Sequence, residues 1–215
     1  MFEGIKQNLP KETLEETLRN VQYLFDTGFI KEIPQRKIGE RSSWDEFHMA
    51  KARLISGRAT CFHIKSGSVI VNDKRVIGEG YNGAPSDNES CIEMGQCYKE
   101  KVSGKRYEDT MNSGLCRGVH SEMNAYFNML ISPPKDRSSI LYNTVFPCHT
   151  CSKNLVATRT IGEIVFGSFY DLKEFQGSVR QLSEAHIKLS YLPLSEERYF
   201  DITNGKKHTS SNPAG

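Results

Sequence analysis

Two short clusters carry residue types that can do chemistry. His120-Ser121-Glu122 opens a predicted helix, and Pro147-Cys148-His149-Thr150-Cys151 lies between a predicted strand and a predicted helix. Each alone has a plain explanation. A His-x-Glu triplet occurs by chance, and Cys-x-x-Cys also suits a thioredoxin-like redox centre or half of a stabilising zinc knuckle. Together they are more specific. One imidazole nitrogen and two thiolates give zinc three protein ligands and leave the fourth tetrahedral position for water, which a structural site would close with a fourth residue. Two cysteines three apart on a first helical turn can reach one metal, and the free amides of that turn stabilise thiolate charge.

Glu122, two residues past His120, can reach a metal-activated water without being a ligand. His-x-Glu followed by Pro-Cys-x-x-Cys is the zinc deaminase pattern. In that chemistry zinc lowers the pKa of its water from about 15.7 toward 7. The hydroxide attacks the amino-bearing carbon of the base, while Glu122 passes the proton to the ring nitrogen and helps ammonia leave. A redox centre would want a Trp-Cys-Gly-Pro-Cys style motif, which Cys148-His149-Thr150-Cys151 lacks. A zinc-stabilised binding protein would have no need of Glu122.

Four of the six cysteines remain: Cys61, Cys91, Cys97 and Cys116. Grouped around one irregular stretch, they could close a tetrahedral structural zinc site. The alternative is scattered buried thiols.

These residues need a scaffold, and composition bounds it. The chain has 215 residues, 28 Lys+Arg and 26 Asp+Glu, for a formal net charge of +2, with 37% hydrophobic and 25% charged residues. That describes one substantial globular domain with an appendage, and excludes wholesale disorder, a collagen-like chain and a disulfide-dense miniprotein. The first residues lack the apolar run of a secretory signal, and no window approaches the ~20 apolar residues of a membrane helix. The expected compartment is therefore the cytoplasm, where cysteines stay reduced. Near-neutral charge, with no Lys/Arg cluster beside the motifs, favours a small nucleotide over a nucleic acid and gives no reason for a membrane partner.

Leu14, Leu18, Val21, Leu24 and Phe25 form one apolar stripe, so residues 1–42 read as a helical extension and linker. Ser43-Trp44-Asp45-Glu46 is a capping box that starts a helix ending at Gly57. Val69-Ile70-Val71 and Val76-Ile77, joined by Asn72-Asp73-Lys74-Arg75, predict a β-hairpin. Residues 86–117 are polar, hold three cysteines and show no clear period. Helices from about His120 to Leu130 and Cys148 to Thr158 then alternate with strands at Ile140–Phe146 and Ile164–Phe166. A helix marked by Phe175, Val179 and Leu182 and a strand at Ile187–Tyr191 follow. The alternation predicts a single α/β unit over residues 43–195, with residues 196–215 as a partly disordered tail.

The stretch from about 43 to 170 resembles the deoxycytidylate (dCMP) deaminase family of the cytidine deaminase-like superfamily. The residues that carry this are Cys61 to Val71, Gly80-Tyr81-Asn82-Gly83-Ala84-Pro85, Cys116 to Ala125 through His120-Ser121-Glu122-Met123-Asn124, and Leu141 to Cys151. The resemblance implies a three-layer α/β/α fold with a mixed sheet of about five strands and helices on both faces. It implies hydrolysis of dCMP to dUMP and ammonia, with His120, Cys148 and Cys151 as zinc ligands and Glu122 as the proton shuttle. Asn82 matches the loop asparagine that meets the nucleotide, and Ser121 and Asn124 join it as expected substrate contacts. Gly80, Tyr81 and Gly83 lie where family members sense dCTP, which implies a homo-oligomer, commonly a hexamer, with dCTP and dTTP as effectors. Some members hold a second zinc at the positions of Cys61 and Cys91. The family's usual Val-Gly-Ala is Ser66-Gly67-Ser68 here, and its alanine between His and Glu is Ser121. A free nucleotide needs a phosphate partner, and the cationic candidates near the motifs include Lys65 and Arg117. A deaminase of another free nucleotide or nucleobase, or of a base in tRNA or DNA, remains the alternative.

Overall fold

A computed structural model describes residues 11–110, 113–169 and 172–204. Helix α1 spans Lys11–Asp26, strand β1 Ile30–Glu32, and α2 Trp44–Ser56. The hairpin follows as β2 Gly67–Asn72 and β3 Arg75–Tyr81, then the short helices α3 Cys91–Met94 and α4 Tyr98–Ser103. The remaining order is α5 Ser121–Phe127, β4 Ser139–Asn143, α6 His149–Thr158, β5 Ile161–Phe166, α7 Leu172–Glu184, β6 Lys188–Tyr191 and α8 Glu196–Asn204. No helix among the described residues is long and apolar enough to cross a membrane.

The strands form one six-stranded mixed sheet in the order β1-β6-β5-β4-β2-β3. The hairpin pairs antiparallel, and β4, β5, β6 and β1 run parallel to one another. Side chains alternate between faces, as strand geometry requires. Val69, Val71, Tyr142 and Val165 join Met49 and Ala52 of α2 on one face. Ile70, Leu141, Ile164 and Phe166 face the opposite way, into the core shared with Val21 of α1, Ala125 of α5, Leu155 of α6 and Leu182 of α7. Helices thus cover both faces.

Local signals act where they were read. Glu46 N donates to Ser43 Oγ at 3.1 Å and Ser43 N donates to Glu46 Oε2 at 2.7 Å, the reciprocal pair of a capping box. Asp73 and Lys74 have φ of 46° and 62°, the backbone of a type I′ hairpin turn.

Three expectations change. The sheet has six strands rather than about five, because Ile30, Lys31 and Glu32 pair with Leu189, Ser190 and Tyr191. Part of the expected 1–42 extension is therefore an edge strand, with Val21 and Ile30 buried in the main core. Residues 196–204, assigned to the tail, form α8, whose Arg198 is 1% exposed. Arg198 Nε and Nη2 donate to the Glu46 carboxylate at 2.8 and 3.1 Å, and Nη1 donates to Lys37 O and Glu40 O at 3.0 and 3.1 Å. Residues 205–215 lie outside the described residues. The stretch 86–117 is also more ordered than its lack of period suggests. A second capping box, Ser90 with Glu93, starts α3, and Gly104 at φ 66° ends α4. Helices of four and six residues are too short to display a 3.6-residue pattern.

Candidate active site

Two helix starts converge at the C-terminal end of the central strands. His120 is the N-cap of α5, Cys148 is the N-cap of α6, and Cys151 lies in the first turn of α6. α5 reaches its place because β3 leaves room for it: a Cβ on Gly78 would come within 2.3 Å of Ala125 O, and one on Gly80 within 2.3 Å of Ala125 N. His120 Nδ1 is 3.4 Å from each of Cys148 Sγ and Cys151 Sγ. The three donor atoms fall within 4.8 Å of one another. Imidazole and two thiols are a borderline-soft set suited to zinc, so the residues present fit that ion by donor chemistry and by spacing.

The electrostatics match the set. The Cys151 thiol donates toward Cys148, which holds Cys148 well below the ordinary thiol range despite its burial, with His120 adding to the effect. Cys151, keeping the shared proton and deeply buried, is pushed up correspondingly. Glu122 is 5% exposed, and burial holds its carboxyl above the ordinary range against the opposing pull of His120.

Beneath Glu122 runs a hydroxyl network. Ser121 Oγ reaches Glu122 Oε2 at 3.3 Å, and is itself 2.7 Å from Ser66 Oγ and 2.9 Å from Ser68 Oγ. Asn143 Oδ1 accepts from Ser68 at 2.8 Å and from Ser66 and Ser121 at 3.3 Å. Asn143 Nδ2 is buried with no hydrogen-bond partner among the described residues. Of the three serines that depart from the family pattern, Ser66 and Ser68 therefore both meet Ser121. Their joint departure was the sequence signal for this network, while Asn143, on β4, had none.

The donors open onto a cavity of about 490 Å³, whose wall includes His120, Ser121, Glu122, Cys148 and Asn82. Asn82 is braced: its Oδ1 accepts from Ser66 N at 2.7 Å and its Nδ2 donates to Ile64 O at 2.9 Å. Asn124, expected beside the substrate, is not on that wall; its Nδ2 donates to Tyr81 O at 2.7 Å and ties α5 to the end of β3. Gly80 lies under α5, and Gly83 exchanges backbone bonds of 3.1 and 2.8 Å with Val119. Lys65 is exposed and off the wall, whereas Arg117 is on it.

The same wall carries Cys61, Cys91, Cys97 and Cys116. Burial raises the Cys91 thiol, and Cys97, Cys61 and Cys116 each add to that electrostatically, so the four thiols are neighbours. They do not close to the spacing of the first set. The second tight donor group among the described residues is His63, Cys97 and Glu100, within 4.8 Å of one another. Lys99, Tyr98 and Tyr107 also line the cavity, and no spacing in the sequence pointed to them.

Residues 42–168 match the family model described as the cytidine and deoxycytidylate deaminase zinc-binding region, which is more than half of the chain. The chain belongs to that family. Among relatives of this deaminase family member, a deoxycytidylate deaminase of Saccharomyces cerevisiae is 34% identical over 160 residues, covering 73% of this chain and 47% of the yeast protein. One from Mycobacterium phage D29 is 35% identical over 127 residues, covering 59% of this chain and 95% of the phage protein. The chain thus spans about half the length of the yeast relative. A dCMP deaminase from the cyanophage S-TIM5, solved in complex with dCMP and dUMP, shares the fold with a TM-score of 0.53 at 22% identity, covering 68% of this chain and 95% of that one.

Proposed function

We propose that this deaminase hydrolyses dCMP to dUMP and ammonia. The observation that carries the reading is Glu122, a buried carboxyl on the cavity wall beside three metal donors, which a purely structural zinc would not need. Relatives named deoxycytidylate deaminase at 34 and 35% identity support dCMP as the substrate.

His120, Cys148 and Cys151 would hold a zinc ion, which when bound supplies Lewis-acid activation of the attacking water. Every other step belongs to the chain. The cavity receives the pyrimidine and limits water. Glu122 takes a proton from the attacking water and delivers it to N3, and a second transfer through the same carboxyl reaches the amino group. A C4–O bond forms, the C4–N bond breaks, and ammonia departs. Ser121, held by Ser66 and Ser68, steadies one carboxyl oxygen during these transfers.

The test is deamination by the zinc-loaded full chain of dCMP, CMP, cytidine, dCTP and single-stranded DNA, read as loss of the amino chromophore. Turnover of dCMP supports the reading; turnover of the polymer alone overturns it. A second zinc on Cys61, Cys91, Cys97 and Cys116 is part of the proposal, supported by the single wall they share and their mutual influence. His63 and Glu100 are the further donors beside Cys97. Metal analysis should find two zinc ions per chain, and one would remove this second site. A homo-oligomer with dCTP and dTTP response through Gly80, Tyr81 and Gly83 completes it; the oligomer is supported by Phe127 at the end of α5 and Leu130 and Ile131 just beyond it, exposed at 68%, 85% and 53%. A monomer in sedimentation, or rates indifferent to both effectors, would remove that part.

A further inference from the structure

The cavity has two chemically different regions. Glu122 is the carboxylate on its wall, next to His120 and Cys148, whereas Lys99 and Arg117 bring two formal cations. Neither cation is ion-paired with a carboxylate among the described residues. Lys99 is only 8% exposed, and its Nζ has a 3.3 Å bond to Thr110 O and a place 4.4 Å above the Tyr107 ring. A nearly buried ammonium with no carboxylate partner among the described residues favours an arriving anion. Arg117 is fixed by stacking, its Cζ 4.1 Å above the Tyr98 ring, and Nη1 donates to Glu89 O at 3.1 Å. That bond uses one of the five N–H donors of a guanidinium. Stacking holds the plane while leaving an edge for two parallel bonds, the geometry that suits a phosphate better than an ammonium does.

Position agrees with chemistry. Arg117 precedes His120 by three residues, which span at most about 11 Å of extended chain. The intervening Val119 is clamped to Gly83 by backbone bonds in both directions, so the separation is set by ordered structure. A small molecule could touch both ends at once.

We infer that Arg117, stacked on Tyr98 and backed by Lys99, anchors the phosphate monoester of the nucleotide whose base is processed at Glu122. This rests on the deaminase reading and adds the residues that select a nucleotide over a nucleoside. The stretch that carries Tyr98, Lys99 and Arg117, with the thiols of Cys91, Cys97 and Cys116, then builds the phosphate end of the site, while α5 and α6 build the reactive end.

The experiment measures calorimetric binding of dUMP and of deoxyuridine to the zinc-loaded full chain, a product pair that needs no turnover. The wild type should bind dUMP at least about 30-fold more tightly. Arg117→Gln should bring the preference below about threefold, Arg117→Lys should keep part of it, and Lys99→Met should lower it less than Arg117→Gln. Inorganic phosphate, tested on the wild type alone, should weaken dUMP binding and leave deoxyuridine binding unaffected. That arm stands even if a variant fails to fold. Equal binding of the two compounds by the wild type, no binding of either, no competition by phosphate, or an Arg117→Gln protein with its preference intact would each overturn the inference. Phosphate preference without dCMP turnover would remove the deaminase reading and keep the anchor. Equal turnover of dCMP and deoxycytidine, with equal binding of dUMP and deoxyuridine, would do the reverse.

Discussion

Glu46 and Glu122 are the same residue type, each in the first turn of a helix and each nearly inaccessible, at 0% and 5% exposure. Their chemistry is opposite. Around Glu46, burial alone would raise the carboxyl, but hydrogen bonds from Arg198, Ser43 and Arg36, with the charge of Arg198, push it down to about 2. Around Glu122, burial dominates, and among the hydrogen bonds described the carboxyl has a long 3.3 Å contact from Ser121. The first is a permanent anion that ties α2, α8 and residues 36–40 together. The second is a group for which holding a proton costs little. Burial does not decide what a carboxylate does; its partners do.

The largest effect that would break this comparison is on chemistry. Glu122→Gln should lower kcat on dCMP by about 10²–10⁴-fold or more while zinc content stays the same. Its melting temperature should change little, because the amide is isosteric with the carboxyl and can keep the contacts to Ser121 and Cys151. Wild-type turnover would remove the proton-shuttle role.

Next is stability. Arg198→Met leaves Glu46 buried with its main partner gone and should cost about 3–5 kcal/mol in urea unfolding. Adding Glu46→Leu in that background should recover part of the loss, since the pair is coupled. Purely additive costs would show that the two residues act separately.

A third test uses acid. A carboxyl whose folded pKa is depressed contributes stability above its unfolded pKa and loses it as pH falls. For Glu46 the loss should run from about pH 5 down toward pH 2 and reach about 3 kcal/mol at most. Chemical denaturation across that range should show the decline in the wild type and a flatter profile in Glu46→Leu/Arg198→Met. The smallest change sharpens the other half: Ser121→Ala removes one weak bond to Glu122 and should reduce kcat by about tenfold or less.

Much of the reactive end was legible along the chain. His120, Glu122, Cys148 and Cys151 are brought together by two local rules, since each candidate metal donor lies at or just inside a helix start. Ser43 to Glu46 and the hairpin turn at Asp73-Lys74 were legible for the same reason. Asn82 and Asn124 were placed beside the substrate by resemblance, yet their amides bond to Ile64, Ser66 and Tyr81, backbone partners that no spacing reveals.

What the amino-acid order determined by itself reaches about one helical turn or one hairpin: caps, turns, alternation, and donors at fixed offsets. Tertiary structure alone decided the rest. It placed a three-residue strand from the N-terminal segment beside β6, too short for any period to announce. It brought Arg198 to Glu46 across 152 residues and the segment around Cys97 to the wall of the cavity. Hydrogen bonds and ion pairs depend on where atoms meet in space, and chain separation carries no trace of that meeting until the sheet and its helices have packed.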